Sequence, residues 1–303
     1  MPPRLGWPAD KAYGAIGSLQ VRLADSRRDL HLAQRLRYQV FFEEMSAAAS
    51  LTARMRRRDE DAFDAVCDHF LVVDMAPKAL PGEGSLRRCG LRRGGGGGKP
   101  LVVGTYRVLR RDVARQCNRP FYTEGEYDIA PLLAAKGPDA SFMELGRSCV
   151  MKPYRNRRTL ELLWHGLWTY VRQHRVEIMI GCASFQGTDP GAHAMALSFL
   201  HHNCRAPADW VVRAHGHLYQ AMNLLPAGEV DGKAALKAMP PLIKAYLRLG
   251  AYIGDGAVID RAFGTTDVLV ILPVARIDSR YFAHFGAPDE MTARIARDVK
   301  PAS

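Results

Sequence analysis

Residues 142–174 read FMELGRSCVMKPYRNRRTLELLWHGLWTYVRQH, and the architecture that we expect is built outward from them. The apolar run Phe142–Val150 predicts a strand that enters a basic turn. Thr159–His174 predicts an amphipathic helix, whose apolar face comprises Leu160, Leu163, Leu167 and Val171. Val176–Ala183 (VEIMIGCA) predicts the next strand. A strand–helix–strand order of this kind indicates a parallel crossover unit.

Strands that precede this unit in the sequence are expected to pair antiparallel. Two strong strands, His69–Asp74 and Leu101–Leu109, are predicted to form a hairpin with an expanded turn. Ser26 is expected to cap a helix whose apolar face comprises Leu32, Leu36, Val40 and Phe41. Further elements are predicted at four places: a strand at Leu19–Asp25, helices at Pro190–His202 and Leu242–Tyr252, and a strand at Asp267–Val274. The fold class is therefore α/β, with a mixed, mostly antiparallel sheet and helices on both faces.

The chain is expected to form a single domain over residues 19–286. Five consecutive glycines at positions 94–98 predict a flexible loop insertion over residues 77–100 rather than a domain boundary. The termini, residues 1–18 and 287–303, are expected to be poorly ordered.

Composition limits the classes of partner. Lys and Arg total 42 against 31 Asp and Glu, so the net charge of +11 favours polyanions: nucleic acid, anionic lipid or an acidic protein. Nucleic acid is the weakest of these, because no zinc-finger or RNA-recognition signature occurs. The six cysteines form no CxxC pair, so reduced thiols are expected, and no metal site. Without a signal peptide or a run of ~18 apolar residues, the chain is predicted to be cytoplasmic.

The basic turn before the long helix is a candidate anion site. Arg155, Arg157 and Arg158 surround the point where the helix begins. A helix N-terminus presents unpaired N–H groups and the positive end of the helix dipole, which suits a phosphate. A nucleotide-binding P-loop would need the pattern GxxxxGK[ST], which is absent. From position alone, a phosphate site and a solvated turn are equally open.

Two sets of charged residues are candidates for catalysis or binding. Asp61 and Asp64 lie three apart in an acidic segment; if helical, they share a face that can bind an ammonium group or deprotonate an amine. A solvated acidic loop is the alternative. Glu144 and Arg147 stand in an otherwise apolar strand, where a bulge at Gly146 would place them on one side. Burying such a pair is costly, which favours a functional role over a plain salt bridge.

These residues occur in the order of a known family. In chain order the set comprises Arg37 and Phe41 in RLRYQVFFEE, the pair Asp61 and Asp64, Arg107 in GTYRVL, and the pair Glu144 and Arg147. This set resembles the acyl-homoserine-lactone synthases, which have the GNAT fold and take the acyl group from acyl carrier protein (ACP). The fuller resemblance is to the L-ornithine N-acyltransferases of ornithine-lipid synthesis, carried by DAFDAVCDHFLVVD, FYTEGEYDIAPL, MELGRSCV, ALSFLHHN and residues 242–274.

The resemblance implies a GNAT-like domain with a C-terminal extension. Its reaction would move a (3-hydroxy)acyl group from acyl-ACP to the α-amino group of L-ornithine, giving lyso-ornithine lipid in the first step of ornithine-lipid biosynthesis. Glu144 is then the candidate base, and backbone N–H groups from Arg147 to Cys149 would stabilise the oxyanion. The substrate-binding residues would be Asp61 and Asp64 for the side-chain ammonium, Arg37 or Arg107 for the carboxylate, and Phe41.

The basic turn departs from the usual GNAT pattern. Where that fold commonly has a glycine-rich pyrophosphate loop, this chain has Arg155-Asn156-Arg157-Arg158. The departure favours one phosphopantetheine phosphate, contacted by arginines, over coenzyme A. No bound cofactor is expected, and the acyl-ACP thioester is the donor substrate. The tryptophan common in the lactone synthases is missing, which argues against lactone synthesis. A lactone synthase is still the first alternative, a non-catalytic basic module that binds membrane or nucleic acid the second, and an N-acyltransferase for another amino acid the third.

The acylated product is lipid-like and must reach a membrane. Leu242–Tyr252 mixes Lys244 and Arg248 with apolar residues, a pattern open to two interpretations. A helix on the surface of the inner membrane would make the protein peripheral on the cytoplasmic face. A buried helix of the core is the alternative, and the sequence favours it.

Overall fold

The computed structural model describes residues 12–45, 47–77 and 100–278. The predicted insertion at residues 77–100 lies outside the described residues apart from its two ends, and so does the predicted C-terminal tail at 287–303. Within the N-terminal segment, Gly14–Ile16 forms a strand although the sequence predicts poor order there. Gly17, with a φ of +61°, makes the tight turn that returns the chain along residues 19–21.

The described residues form eleven strands. In chain order they are β1 (Gly14–Ile16), β2 (Leu19–Leu23), β3 (Asp68–Asp74), β4 (Leu101–Arg110), β5 (Tyr127–Asp128), β6 (Phe142–Val150), β7 (Ile178–Gln186), β8 (Arg213–Ala214), β9 (Tyr219–Gln220), β10 (Tyr252–Asp260) and β11 (Thr265–Pro273). The strand predicted at Phe142–Val150 is confirmed with its predicted bounds.

Eight α-helices lie in the same residues. They are α1 (Arg27–Tyr38), α2 (Leu51–Arg56), α3 (Arg111–Gln116), α4 (Ala130–Ala135), α5 (Arg157–Gln173), α6 (Ala194–Asn203), α7 (Gly232–Ala238) and α8 (Pro241–Arg248). Ser26 caps α1 as predicted, because its side chain accepts a hydrogen bond from the Asp29 N–H at 3.2 Å. The predicted continuation of α1 is corrected: from Gln39–Glu44 the chain forms a π-helix, and the Met45 N–H reaches back to the Val40 oxygen at 3.1 Å.

The helix predicted at Leu242–Tyr252 is shorter than expected. It ends as α8 at Arg248, and Gly250, with a φ of +89°, allows Tyr252 to begin β10. Ile243 and Tyr246 of α8 are buried, which favours the core alternative over a helix on a membrane surface. Within the part of the chain that the structure describes, none of the helices has both the length and the apolar character needed to cross a bilayer.

The chain folds as two compact units. The first contains the described residues up to Val108, together with Gly146–Arg175. In it β1 to β4 pair in sequence order, all antiparallel, and β3 and β4 form the predicted hairpin with Asp68 opposite Val108. Helix α5 packs on this sheet, where Tyr170 meets Phe70 edge-on with 5.5 Å between ring centroids.

The second unit contains Leu109–Leu145 and Val176–Asp278. Its strands follow the order β6-β7-β11-β10-β8-β5, and β9 pairs with β10. The predicted parallel pairing of β6 with β7 is confirmed over three residue pairs, the last of which is Glu144↔Ile180. Strand β11 pairs antiparallel with both β7 and β10, whereas β10 pairs parallel with β8. The predicted α/β class with a mixed, mostly antiparallel sheet is therefore confirmed.

Candidate active site

A buried group of charged residues lies in the first unit. We call it the Asp–Arg cluster; it comprises Arg37, Asp59, Asp61, Asp64, Arg107 and Arg147. Arg37 is 0% exposed, and it donates to Asp59 Oδ2 and to both carboxylate oxygens of Asp64 at 2.8 Å each. A further hydrogen bond runs from Arg37 to the main-chain oxygen of Asp59. Every side-chain nitrogen of Arg37 is therefore engaged within the protein.

Two further arginines complete the cluster. Arg107 Nη1 on β4 donates to the two oxygens of Asp61 at 2.6 and 2.8 Å and to Asp64 Oδ1 at 2.9 Å. Arg147 Nη2 donates to Asp61 Oδ2 at 3.2 Å, and its Nε lies 3.3 Å from Asp59 Oδ2. Three guanidinium groups thus face three carboxylates, so the charges of the cluster balance.

A turn, and not a helix, brings Asp61 and Asp64 together. Asp61 Oδ1 accepts hydrogen bonds from the N–H groups of Phe63 and Asp64 at 2.9 and 3.2 Å, as in an Asx turn. The helical face considered from the spacing is therefore corrected. The two carboxylates nevertheless share a partner, because both contact Arg107 Nη1.

Burial and the arginine charges act in opposite directions on these carboxylates. Burial favours the neutral acid at Asp64, but the charge of Arg37 outweighs it and lowers the Asp64 pKa well below its usual range. Burial also opposes ionisation of Asp61, whose pKa the charge of Arg107 lowers. His69 Nε2 lies 3.1 Å from the Asp64 main-chain oxygen; burial, and then the Arg37 charge, lower the His69 pKa to about 4. The cluster therefore contains ionised carboxylates next to a neutral imidazole.

This arrangement constrains the predicted substrate contacts. Arg37 has no exposed surface, so contact between Arg37 and a substrate carboxylate would require the cluster to open. The side chains of Asp61 and Arg147 are the more accessible members, at 23% and 14% exposure, whereas Asp64 is at 4%. Binding of a substrate ammonium by Asp61 and Asp64 stays a prediction, and the ammonium would compete with guanidinium groups that already contact both. Asp59 is a cluster member that the sequence did not single out.

Phe41, also predicted to contact the substrate, lies in the π-helix and is half-buried. Its carbonyl oxygen accepts a hydrogen bond from the Ala47 N–H at 3.0 Å. π-Helical turns are often found at functional sites. The contact between Phe41 and the substrate stays a prediction.

Glu144 belongs to the second unit, where it is 6% exposed. Its Oε2 accepts a hydrogen bond from the Tyr122 N–H at 2.8 Å, and its Oε1 accepts one from the Thr123 N–H at 2.6 Å. Two main-chain donors fix the orientation of the carboxylate, and a carboxylate is a group that can accept a proton from an amine. Next to the position of the predicted bulge, Gly146, the backbone of Arg147 has a φ of +51°, which is rare for a residue other than glycine. The bulge, and a common side for Glu144 and Arg147, stay predictions.

The three arginines of the basic turn are exposed at the start of α5. Arg155 Nη2 donates to Glu44 Oε2 at 2.6 Å, and Arg157 Nε donates to Glu161 Oε1 at 2.6 Å. Arg158 forms no hydrogen bond or ion pair with any residue that the structure describes. The turn therefore presents positive charge to solvent, and Arg158 differs from Arg155 and Arg157 in forming no ion pair with a described residue.

Known proteins similar to this chain agree with one another. A family model described as "Acetyltransferase (GNAT) domain" matches residues 36–165. The L-ornithine N(alpha)-acyltransferase of Brucella abortus (strain 2308) is 52% identical over 274 residues, which are 90% of this chain and 91% of the relative. The protein of the same name in Agrobacterium fabrum (strain C58) is 50% identical, covering 92% and 88%.

Among solved structures, FeeM, an N-acyl amino acid synthase from uncultured soil microbes, aligns with a TM-score of 0.43 at 10% identity, covering 85% of this chain and 91% of that one. The two sequence relatives are far more similar to this chain, with 52% and 50% identity over nearly the whole length of both proteins. On that identity, the chain is an N-acyltransferase and belongs to the L-ornithine N(alpha)-acyltransferase family.

Proposed function

We propose that the protein transfers a (3-hydroxy)acyl group from the thioester of an acyl carrier protein to the α-amino group of L-ornithine. The product would be lyso-ornithine lipid, and the reaction the first step of ornithine-lipid biosynthesis. The observation that carries the proposal is the 52% identity, over 90% of the chain, to a relative named L-ornithine N(alpha)-acyltransferase.

In the proposed reaction the neutral α-amine attacks the carbonyl carbon of the thioester and a tetrahedral intermediate forms. Glu144 accepts the proton that the amine loses as the C–N bond forms. Collapse of the intermediate breaks the C–S bond, so that the phosphopantetheine thiolate leaves and an amide remains. The fixed position of the Glu144 carboxylate, between the N–H groups of Tyr122 and Thr123, supports its role as the base.

Arg147 is the second residue that we propose for catalysis. A left-handed backbone at a non-glycine residue costs about 1–3 kcal/mol and is enriched at functional sites. The same conformation reorients the neighbouring N–H groups, and those of residues 147–149 are the proposed donors to the oxyanion.

The proposed donor arm is phosphopantetheine, whose phosphate would be contacted by Arg155, Arg157 and Arg158. Their exposure at the N-terminus of α5, a helix of 17 residues, supports an anion site. The net charge of +11 suits an acidic carrier protein.

A protein that takes its substrate from a carrier protein and releases a lipid would work in the cytoplasm, in peripheral contact with the inner membrane. Two apolar side chains on α2, Leu51 and Met55, are 79% and 86% exposed, and Arg54 and Arg56 stand beside them. We therefore propose α2, and not Leu242–Tyr252, as the contact with anionic lipid.

The proposal is tested by incubating the purified protein with 3-hydroxyacyl-ACP and L-ornithine and analysing the products by mass spectrometry. The expected product has the mass of ornithine plus the acyl group, with fragmentation that assigns the amide to the α-nitrogen. Lysine and glutamine, added as competitors, should be acylated more slowly.

Two outcomes would contradict the proposal. Acylation of S-adenosylmethionine with release of a lactone would identify the protein as a lactone synthase. Faster acylation of another amino acid than of ornithine would retain the reaction type and replace the substrate.

A further inference from the structure

Three carboxylates converge in the second unit, outside the Asp–Arg cluster. We call Glu126, Asp260 and Asp267 the acidic triad. One carboxylate oxygen from each lies within 4.8 Å of the others. Asp267 is 6% exposed, whereas Glu126 and Asp260 are half-buried, so part of the triad is accessible to solvent.

Strand register explains why residues far apart in sequence meet here. Thr265 stands directly opposite Asp260 across the β10–β11 pair, and Asp267 follows two positions later on β11. Side chains alternate along a strand, so Asp260, Thr265 and Asp267 share one face of the sheet. Asp267 pairs with Ser184 of β7, and Glu144 pairs with Ile180 of the same strand. Because these two partners are four positions apart, Glu144 lies on the same face as Asp267.

Segment 121–127 brings Glu126 onto this face. The N–H groups of Tyr122 and Thr123 bind Glu144, and the hydroxyl of Tyr127 donates to the main-chain oxygen of Asp267 at 3.2 Å. Burial, followed by the charges of Glu126 and Asp267, raises the pKa of the Cys182 thiol well above its usual value. Cys182 lies on the same face between Glu144 and Asp267, so its thiol is next to the carboxylates of this face.

A hydroxyl group provides independent support for a ligand. Thr265 is 3% exposed, and its Oγ1 forms no hydrogen bond with any residue in the described ranges. Its position opposite Asp260 and beside Asp267 directs it toward the acidic triad. A buried hydroxyl without a hydrogen-bond partner is unusual in a folded protein, because its desolvation is not compensated. A bound donor at the triad would supply the missing partner.

We propose that the acidic triad, with the Thr265 hydroxyl, binds the terminal ammonium group of the amino-acid acceptor. This inference rests on the proposed function, and it assigns to the triad the contact that Asp61 and Asp64 would otherwise make. Three oxygens that each accept a hydrogen bond of about 2.8 Å from one tetrahedral nitrogen stand about 4.6 Å apart. The observed limit of 4.8 Å fits that arrangement.

The distance to Glu144 fits the length of ornithine. Glu144 on β6 and Asp267 on β11 flank β7, where their partners Ile180 and Ser184 are about 13 Å apart along the strand. Two strand spacings of about 4.8 Å also separate β6 from β11, so the Cα atoms of Glu144 and Asp267 are about 16 Å apart. An extended ornithine separates its two nitrogens by about 6 Å, and a hydrogen bond at each end makes about 12 Å. In the proposed arrangement ornithine lies diagonally across β7, and the side chains of Glu144 and Asp267 extend toward each other over the remaining ~4 Å. The α-amine then meets Glu144 while the terminal ammonium meets the triad.

The experiment compares L-ornithine with L-norvaline, which has the same carbon chain without the terminal amine. We expect the unaltered protein to prefer ornithine by about 100-fold or more in kcat/KM, because norvaline lacks the charged group that the triad would bind. Asp260→Asn and Asp267→Asn should reduce that preference to below about 10-fold, while norvaline acylation changes little. Calorimetric titration with ornithine should show a Kd that is about 30-fold weaker in each variant.

Asp260→Asn keeps the Oδ1 that accepts hydrogen bonds from the Ala262 and Phe263 N–H groups, so it removes charge with little cost to folding. Glu229→Gln removes an exposed carboxylate of the same unit and should leave the preference unchanged. Thermal unfolding of every variant identifies loss of fold.

Each contrary outcome has a definite meaning. If both folded triad variants retain the ornithine preference and the ornithine Kd, the inference is wrong while the proposed function stands. If dialysis against a chelator abolishes ornithine binding and Mg²⁺ or Ca²⁺ restores it, the triad is a metal site and the ammonium assignment is wrong. If ornithine binds through the triad but is not acylated, the proposed function fails and the site remains.

Discussion

Arg37 and Asp64 form a two-point ion pair in the interior of the first unit. Nη1 and Nη2 of Arg37 each donate to one carboxylate oxygen at 2.8 Å, and the side chains are 0% and 4% exposed. The planar guanidinium suits this geometry, which a lysine ammonium cannot reproduce. Removal of either partner would leave an uncompensated buried charge.

Arg37→Ala should lower the free energy of unfolding by about 3–5 kcal/mol, because Asp59 and Asp64 would both lose their buried counter-charge. Urea denaturation followed by circular dichroism measures this change. Arg157→Ala is the matched control, since its pair with Glu161 is 81% and 28% exposed and should contribute at most about 0.5 kcal/mol. Equal effects of the two substitutions would contradict the structural role given to Arg37.

His69 should make the protein less stable as the pH falls from about 6.5 to about 4. Its folded pKa is lowered to about 4 from 6.5, so within this window the unfolded chain binds a proton that the folded protein does not. Stability therefore rises with pH across the window, by an amount on the order of 3 kcal/mol. His69→Gln, in which an amide replaces the ring donor to Asp64, should flatten this part of the stability curve. An unchanged curve would show that His69 is not the group responsible.

Some of these features follow from local sequence. The Ser26 cap is predictable because a serine immediately before a helical apolar pattern is a local signal. The bounds of β6 are predictable because a short apolar run is also a local signal. The antiparallel pairing of β3 with β4 also follows from two strong strands in succession.

Other features depend on contacts between distant residues. The resemblance predicted five arginine and aspartate members of the cluster, yet their mutual neutralisation appears only when β4 and the 59–64 turn meet. The acidic triad was not predicted, since Glu126 and Asp267 lie 141 positions apart in the printed sequence and share no motif. The signal that was available and missed was Gly250, a helix-ending glycine that separates α8 from β10.

Glu144→Gln should lower kcat by about 100- to 10,000-fold, because an amide cannot accept the proton of the attacking amine. The substitution also turns an amide NH2 toward a main-chain N–H, so stability should fall by about 1–3 kcal/mol. Steady-state kinetics and thermal unfolding separate the two effects. Glu177→Gln is the matched control, because its Oε2 accepts a hydrogen bond from the Ser141 N–H at 2.8 Å in the same unit. Full activity of folded Glu144→Gln would exclude Glu144 as the base.

Arg158→Gln should weaken productive encounter with the carrier protein. The expected change is an increase of about 3- to 5-fold in KM for acyl-ACP with kcat preserved, since one exposed charge acts mainly on association. The dependence of kcat/KM on salt should also become shallower, because screening then removes a smaller attraction. Arg172→Gln, in the last turn of the same helix, is the matched control. If Arg158→Gln and Arg172→Gln behave alike, or if the unaltered protein shows no salt dependence, the basic turn is not where the carrier docks.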